Sequence, residues 1–407
     1  MQDEYFDREE QRRRLKEETR YLEENRKVPT YIEREREQRR DGIRARIVGL
    51  AFVMTLFAAG LFYYHNYTYT TYSVDGETSL GALSGATLYQ FGDGAVVIGN
   101  DTVTYLEGGE IVWTTSISLQ APVFVSEDDF FAVYDQGGYR VYICDATGLL
   151  STVKVTRRIR GTDLSASGVT AVFTESDDAA YISYFDRFGS RLAVELKTVL
   201  NASGYPVHIA ISPDGQKLAV VSYSTGNGIG ESRLSVYDFE HGKKENNYIA
   251  DTIDDFYDSG TFAAYCDFLD DTHLAVIGDR ELAFSVYTDK RELITTRMSY
   301  KKPVRSVFTA GPYLGMVFET DKAYECVLYD TDGSVYSSFE VRDPYDEISV
   351  SDSYILFRKG ADLNLYNLSG RHRYSGTLSE IPVSVSFSGQ KSLLINNGNA
   401  VSQITFK

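Results

Sequence analysis

Residues 212–221 read SPDGQKLAVV and residues 233–238 read RLSVYD, and these two phrases, taken in order, decide the fold. In the first, Ser212-Pro-Asp-Gly215 carries turn chemistry: Pro presets φ, Gly accepts a left-handed backbone, and an apolar run suited to a strand follows. The second alternates apolar and polar residues and ends on Tyr237-Asp238, the pattern of a half-buried strand. Both phrases occur eight times.

The aromatic-ended phrase sets a column of Tyr105, Cys144, Phe185, Tyr237, Tyr287, Tyr329, Tyr366 and Ile404, spaced by 37 to 52 residues. A mean of about 43 residues is the length of a four-stranded propeller blade. The turn phrase returns at 91–98, 126–134, 165–173, 269–277, 309–318, 351–357 and 386–395, and Pro122-Val123, Pro206-Val207, Pro303-Val304 and Pro382-Val383 open the strand ahead of four of these turns. A proline at a strand's first residues removes no ladder hydrogen bond. The sequence therefore predicts an all-β, eight-bladed β-propeller over residues 65–407, with seven blades as the nearest alternative. A two-sheet sandwich accounts for neither the count nor the period. Residues 224–232 (STGNGIGES) and the acidic stretch 251–259 (DTIDDFYDS) read as insertions. No room remains after the last repeat for a fourth strand, so residues 67–73 (YTYTTYS) are expected to close the ring as its outer strand.

Composition agrees with strands: 31 Tyr and 22 Phe stand beside a single Trp. With 41 Lys+Arg against 58 Asp+Glu, the net charge of −17 excludes a nucleic-acid binder, which needs a basic surface. Cys144, Cys266 and Cys326 are widely spaced within apolar strands, which fits small buried hydrophobes rather than a disulfide framework or a zinc site.

Residues 1–46 contain 14 basic and 13 acidic residues and hardly any apolar ones, so they read as a charged, partly helical tail interrupted at Pro29. Residues 47–64, IVGLAFVMTLFAAGLFYY, then run for 18 positions without a charge, about 27 Å as a helix. Six arginines between Arg34 and Arg46 precede this span, and the next basic residue is Arg140. That asymmetry places the tail in the cytoplasm and the propeller outside, with the span as an uncleaved signal anchor in the plasma membrane. The acidity belongs to residues 47–407, which hold 27 basic and 45 acidic residues.

The phrases at 211–220 and 234–238 resemble the WD40-like and YVTN-type bacterial propeller families, over about residues 80–407. The Trp-Asp and Gly-His pairs of eukaryotic WD40 repeats are missing, so their hydrogen-bond network is not implied. The layout as a whole resembles an uncharacterised family of single-span, membrane-anchored propeller proteins from Gram-positive bacteria. That resemblance implies location and fold, and no activity.

No nucleophile elbow, phosphate-binding loop, zinc-protease helix or EF-hand loop is present. The sequence assigns no catalytic residue, no cofactor and no metal. Asp251, Asp254, Asp255 and Asp258 match no calcium loop and read as a solvated acidic insertion. Of five scattered histidines, His208 is singled out together with Arg305, because both follow a Pro-Val pair on an innermost strand and are expected to face the central channel as ligand or partner contacts. The expected function is a non-enzymatic binding or scaffold module for a protein or cell-envelope partner. Its rivals are a transmembrane sensor reporting to the tail, and a lyase or hydrolase with its site in the channel.

Overall fold

A polar turn between every two alternating strands lets each strand pair with its neighbours in the chain. The computed structural model describes residues 3–27, 31–79, 86–199, 204–225, 228, 230–240, 251–257 and 260–407. In the propeller unit these form eight four-stranded antiparallel sheets. Blades 1 to 7 are meanders at residues 87–116, 122–154, 158–199, 205–256, 263–299, 304–341 and 347–377. Blade 8 takes three strands, Ser384–Phe387, Ser392–Asn396 and Ala400–Phe406, from the C-terminal end, and Tyr72–Ser79 as its fourth. The eight-bladed propeller expected from the repeats is thus the fold. The column of aromatic-ended phrases falls on the third strand of every blade, and the Pro-Val pairs sit at or just before the innermost strands of blades 2, 4, 6 and 8.

The core lies between blades rather than within one. Val221, Leu234 and Val236 of blade 4 pack with Cys266, Leu274 and Val276 of blade 5 in one fully buried cluster. Phe131 of blade 2, wholly buried, sits 4.7 Å from the Phe91 ring and 6.1 Å from Trp113, both of blade 1. All three cysteines are buried free thiols. The Asp that ends the second phrase also has a structural reason: Asp238 is fully buried and accepts a 2.8 Å hydrogen bond from the hydroxyl of Tyr287, the column residue of blade 5.

Two sequence expectations shift. Asp251–Phe256 is the outer strand of blade 4, paired in register with Arg233–Asp238, and not an insertion. Charged residues on an outer strand discourage pairing with a further strand. The closing strand is Tyr72–Ser79 rather than 67–73, with Tyr72 opposite Phe406 and Ser79 opposite Ala400. Tyr69 instead stacks on Phe406 at 5.8 Å, and Thr70 and Thr71 donate their N–H groups to the Lys407 carbonyl. Tyr69 and Tyr72 therefore serve packing at the end of blade 8.

The N-terminal unit consists of α1 (Asp3–Lys27) and α2 (Tyr31–Asn66), on either side of Pro29. Within α2, Gly42–Tyr63 is 22 residues long, apolar enough to cross a membrane, and unburied throughout.

Candidate functional site

First strands of neighbouring blades meet around the channel, and those of blades 3 to 6 share a β-bulge near their start. The bulged residues are Arg160, Val207, Ala264 and Arg305. Counted from the bulge, Gly161, His208, Tyr265 and Ser306 are equivalent, and two residues further on come Asp163, Ala210, Asp267 and Phe308. His208 and Arg305 are therefore one position apart in register. Pro206 pairs within its strand while Pro303 lies ahead of its own, so equal spacing from the proline does not mean equal position.

A cavity of about 700 Å³ follows the innermost strands of blades 2 to 5 and reaches Thr309 and Gly311. His208 lines it and Arg305 does not. The Arg305 side chain is half exposed, 3.9 Å from Glu319 and over the ring of Tyr345.

Three carboxyls that sequence reasoning passed over line the cavity: Glu127 of blade 2, Asp163 of blade 3 and Asp267 of blade 5. Asp163 accepts a 2.7 Å hydrogen bond from the Ile211 N–H, and Asp267 accepts one of 3.0 Å from the Tyr265 hydroxyl. None of the three forms an ion pair among the described residues. Arg160, also at the wall, is engaged by Glu175, which further accepts a hydrogen bond from Tyr205 at 3.0 Å.

These carboxyls keep some accessible surface, but it opens into the cavity, and the surrounding protein still penalises their charge. Burial, then repulsion by Asp267, lifts Asp163 to about 8. Burial, then neighbouring acids, lifts Glu127 to about 7. Asp267 rises to about 6 by burial, held back by the Tyr265 hydroxyl. His208 moves oppositely: burial pushes it down to about 4, so it is neutral, with its ring 4.3 Å from that of Tyr265 and its Nδ1 3.8 Å from the Cys266 thiol. Burial raises Cys266 and Tyr265 well above their ordinary values, so neither is a nucleophile near neutral pH.

The arrangement can accept positive charge and donate a proton, and its thiol is unactivated. No group of His, Cys, Asp or Glu among the described residues is placed to hold a metal ion. Of the acidic stretch, Asp255 is held by Arg297 at 2.7 Å and Thr295 at 2.9 Å, and Asp258 lies outside the described residues. A signal for the missed pair existed: Asp163, Ala210 and Asp267 each stand two residues before the turn phrase of their repeat.

No curated protein matches the sequence. Among solved structures, BamB from Moraxella catarrhalis is similar at 14% identity, covering 83% of this chain and 100% of that one with a TM-score of 0.47. Apo AztD from Citrobacter koseri shares 12% identity over 78% and 89%, TM-score 0.48. A streptogramin B lyase shares 12% over 70% and 94%, TM-score 0.45. Residues 65–406, the propeller with the few residues leading into it, match a family described only as being of unknown function, and to that family, DUF5711, this chain belongs.

Proposed function

We propose that the protein is a single-pass plasma-membrane protein, with residues 1–46 as a cytoplasmic tail, 47–64 as a signal-anchor helix and 65–407 as an extracytoplasmic propeller. The propeller acts as a non-enzymatic binding module for a protein or cell-envelope partner. The observation that carries this reading is the channel cavity, about 700 Å³ in volume and walled by innermost strands of successive blades. Such walls are pinned by ladder hydrogen bonds on one side and inter-blade packing on the other, so the site is preorganised. The apolar run in α2 and the arginines ahead of it support anchoring and orientation.

Crosslinking and affinity capture of the full-length protein from its own membrane tests the reading. The expected result is one envelope component enriched over a control carrying only residues 1–66, and lost when Gly161→Leu fills the cavity. Gly161 lines the channel with a backbone any residue adopts, and an added Cβ finds only Phe173, at 3.6 Å. No enrichment over the control overturns the proposal.

One observation favours a second reading, a lyase or hydrolase in the channel: Glu127 and Asp163 hold protons near neutral pH, as general acids do. Turnover of a captured component, abolished by Glu127→Gln or Asp163→Asn, would select it.

A further inference from the structure

We propose that a row of basic side chains, Arg140, Lys154, Arg157, Arg158 and Lys197, docks a linear, phosphate-bearing polyanion of the cell envelope. The proposal rests on the extracytoplasmic placement of the propeller and names a second surface, apart from the channel.

Lys154-Val-Thr-Arg157-Arg158-Ile-Arg160 places four basic residues in seven positions, and no acid lies between Asp145 and Asp163. The setting is otherwise acidic, since residues 47–407 hold 27 basic against 45 acidic residues. Lys154 ends the outermost strand of blade 2 and Arg158 opens the innermost strand of blade 3, so the segment crosses from the rim of the ring toward its channel. Arg140 opens the neighbouring strand of blade 2 and stands directly opposite Lys154 in the ladder. Like charges so placed repel. Arg140, Lys154 and Arg158 are all exposed, and none has an ion pair or side-chain hydrogen bond among the described residues.

A second pair of cations meets at one ring. The Arg157 guanidinium lies 3.5 Å from the centre of the Tyr181 ring and the Lys197 ammonium 5.6 Å from it. The acids alongside are already engaged: Glu195 is shared by Arg157 and Arg191, Glu175 holds Arg160, and Asp135 accepts the N–H groups of Gln120 and Ala121. Two like-charged pairs along one segment break a local rule of sheet stability, and such breaches persist where function needs them.

The shape of the row selects the partner. From Lys154 to Arg158 the chain reaches at most about 14 Å. That length suits repeated charges on one chain, where each contact is weak and the sum is strong. Three of the five cations are arginines, whose planar fork matches phosphate oxygens. The row is one linker wide, so a broad acidic protein or a nucleic-acid duplex would overhang onto the surrounding acids, and a thin chain would not. Within the propeller unit, Thr70 and Thr71 bond to Lys407 just past the end of a third strand, whereas Arg140 opens a third strand and Lys154 ends a fourth. The row therefore lies on the opposite face of the ring from the entering chain.

The test uses right-side-out membrane vesicles carrying the full-length protein, so that the tail's own arginines face the lumen, with protein-free vesicles as the blank and fluorescent polyphosphate as the probe. Polyphosphate is expected to bind, and to weaken roughly tenfold or more between about 50 and 200 mM salt. Inorganic phosphate at the same phosphate concentration is expected not to compete. Arg140→Gln/Lys154→Gln/Arg158→Gln should weaken binding roughly tenfold while melting no lower than the unaltered protein by circular dichroism, since it relieves a like-charged pair. Lys290→Gln/Lys322→Gln/Lys359→Gln, which removes the same charge from exposed lysines elsewhere, should bind as the unaltered protein does. Equal binding by the row variant, an equal loss in the lysine variant, or equally tight binding of polyglutamate overturns the proposal, the last in favour of an acidic protein segment. Row-dependent binding seen only once the vesicles are opened overturns the placement, and the envelope source with it. Absence of row dependence in both sealed and opened vesicles strikes the row alone and leaves the placement and the cavity reading standing.

Discussion

Asp163 and Asp267 occupy the same register position on the innermost strands of blades 3 and 5, and neither has a cation to pair with among the described residues. Two carboxyls in one channel disfavour each other's ionisation, and burial adds to it.

Stability should therefore depend on pH in a defined sense. A carboxyl whose folded value exceeds its unfolded one binds more protons in the folded chain, so stability is full below the unfolded value and falls as pH rises to the folded value. For Asp163 that window runs from 3.8 to about 8, for Glu127 from 4.5 to about 7 and for Asp267 from 3.8 to about 6. His208, lowered from 6.5 to about 4, acts oppositely and removes stability as pH falls through that interval. Urea unfolding of the ligand-free protein should show greatest stability on the mildly acidic side. Asp163→Asn should flatten the decline toward pH 8, and an unchanged profile in that variant would refute the assignment.

Tyr287→Phe removes the hydroxyl that Asp238 accepts across the blade 4–blade 5 boundary. Because Asp238 is fully buried, the loss should cost about 1–3 kcal/mol by urea denaturation. A cost below about 0.5 kcal/mol would mean that the bond does not hold the two blades together.

The buried thiols should resist modification. Burial pushes Cys144 and Cys326 up to about 12 and Cys266 well above its ordinary value. A thiol reagent at neutral pH should label none of the three in the folded protein and all three in urea. Rapid labelling of the native protein would contradict the packing of the blades.

Removing residues 400–407 takes away the strand that joins Tyr72–Ser79 to blade 8. That variant should lose the cooperative unfolding transition, whereas removal of residues 1–40 should leave it in place, as seen by circular dichroism during heating. If the tail deletion alone abolished partner capture while the propeller stayed folded, the sensor reading would gain over the scaffold.

The fold was legible because its signal repeats: eight copies of one strand-and-turn phrase reveal a period that no single copy carries. Ring closure was legible in kind, as an outer strand supplied from ahead of the first repeat, but its register was not. Tyr67 and Tyr69 alternate as a strand's residues would, with Tyr72 out of that phase, and only the tertiary context shows Tyr69 stacked on Phe406 and Tyr72 opposite it. The site was legible in part. His208, chosen from its proline, lines the cavity, whereas Arg305, chosen by the same rule, stands one register position away and does not, because the bulge sits differently relative to Pro206 and Pro303. Arg305→Ala should accordingly change stability by no more than about 0.5 kcal/mol. Asp163 and Asp267 escaped because, read one repeat at a time, each is an ordinary acidic residue near a turn.

The closure of blade 8 by strands from both ends of the ring also sets an order in time. Tyr72–Ser79 is the first strand of the propeller to be made, and its partner, Ala400–Phe406, is the last. At a synthesis rate of about 5–20 residues per second the interval is on the order of 20–70 s. Throughout it the early strand has an unsatisfied backbone edge, the kind of surface that recruits stray strands. Its residues, YSVDGETS, are mostly polar, and its middle remains exposed even after pairing. The strand that must wait longest is thus among the least adhesive in the ring, and its composition suits the delay as much as the final pairing.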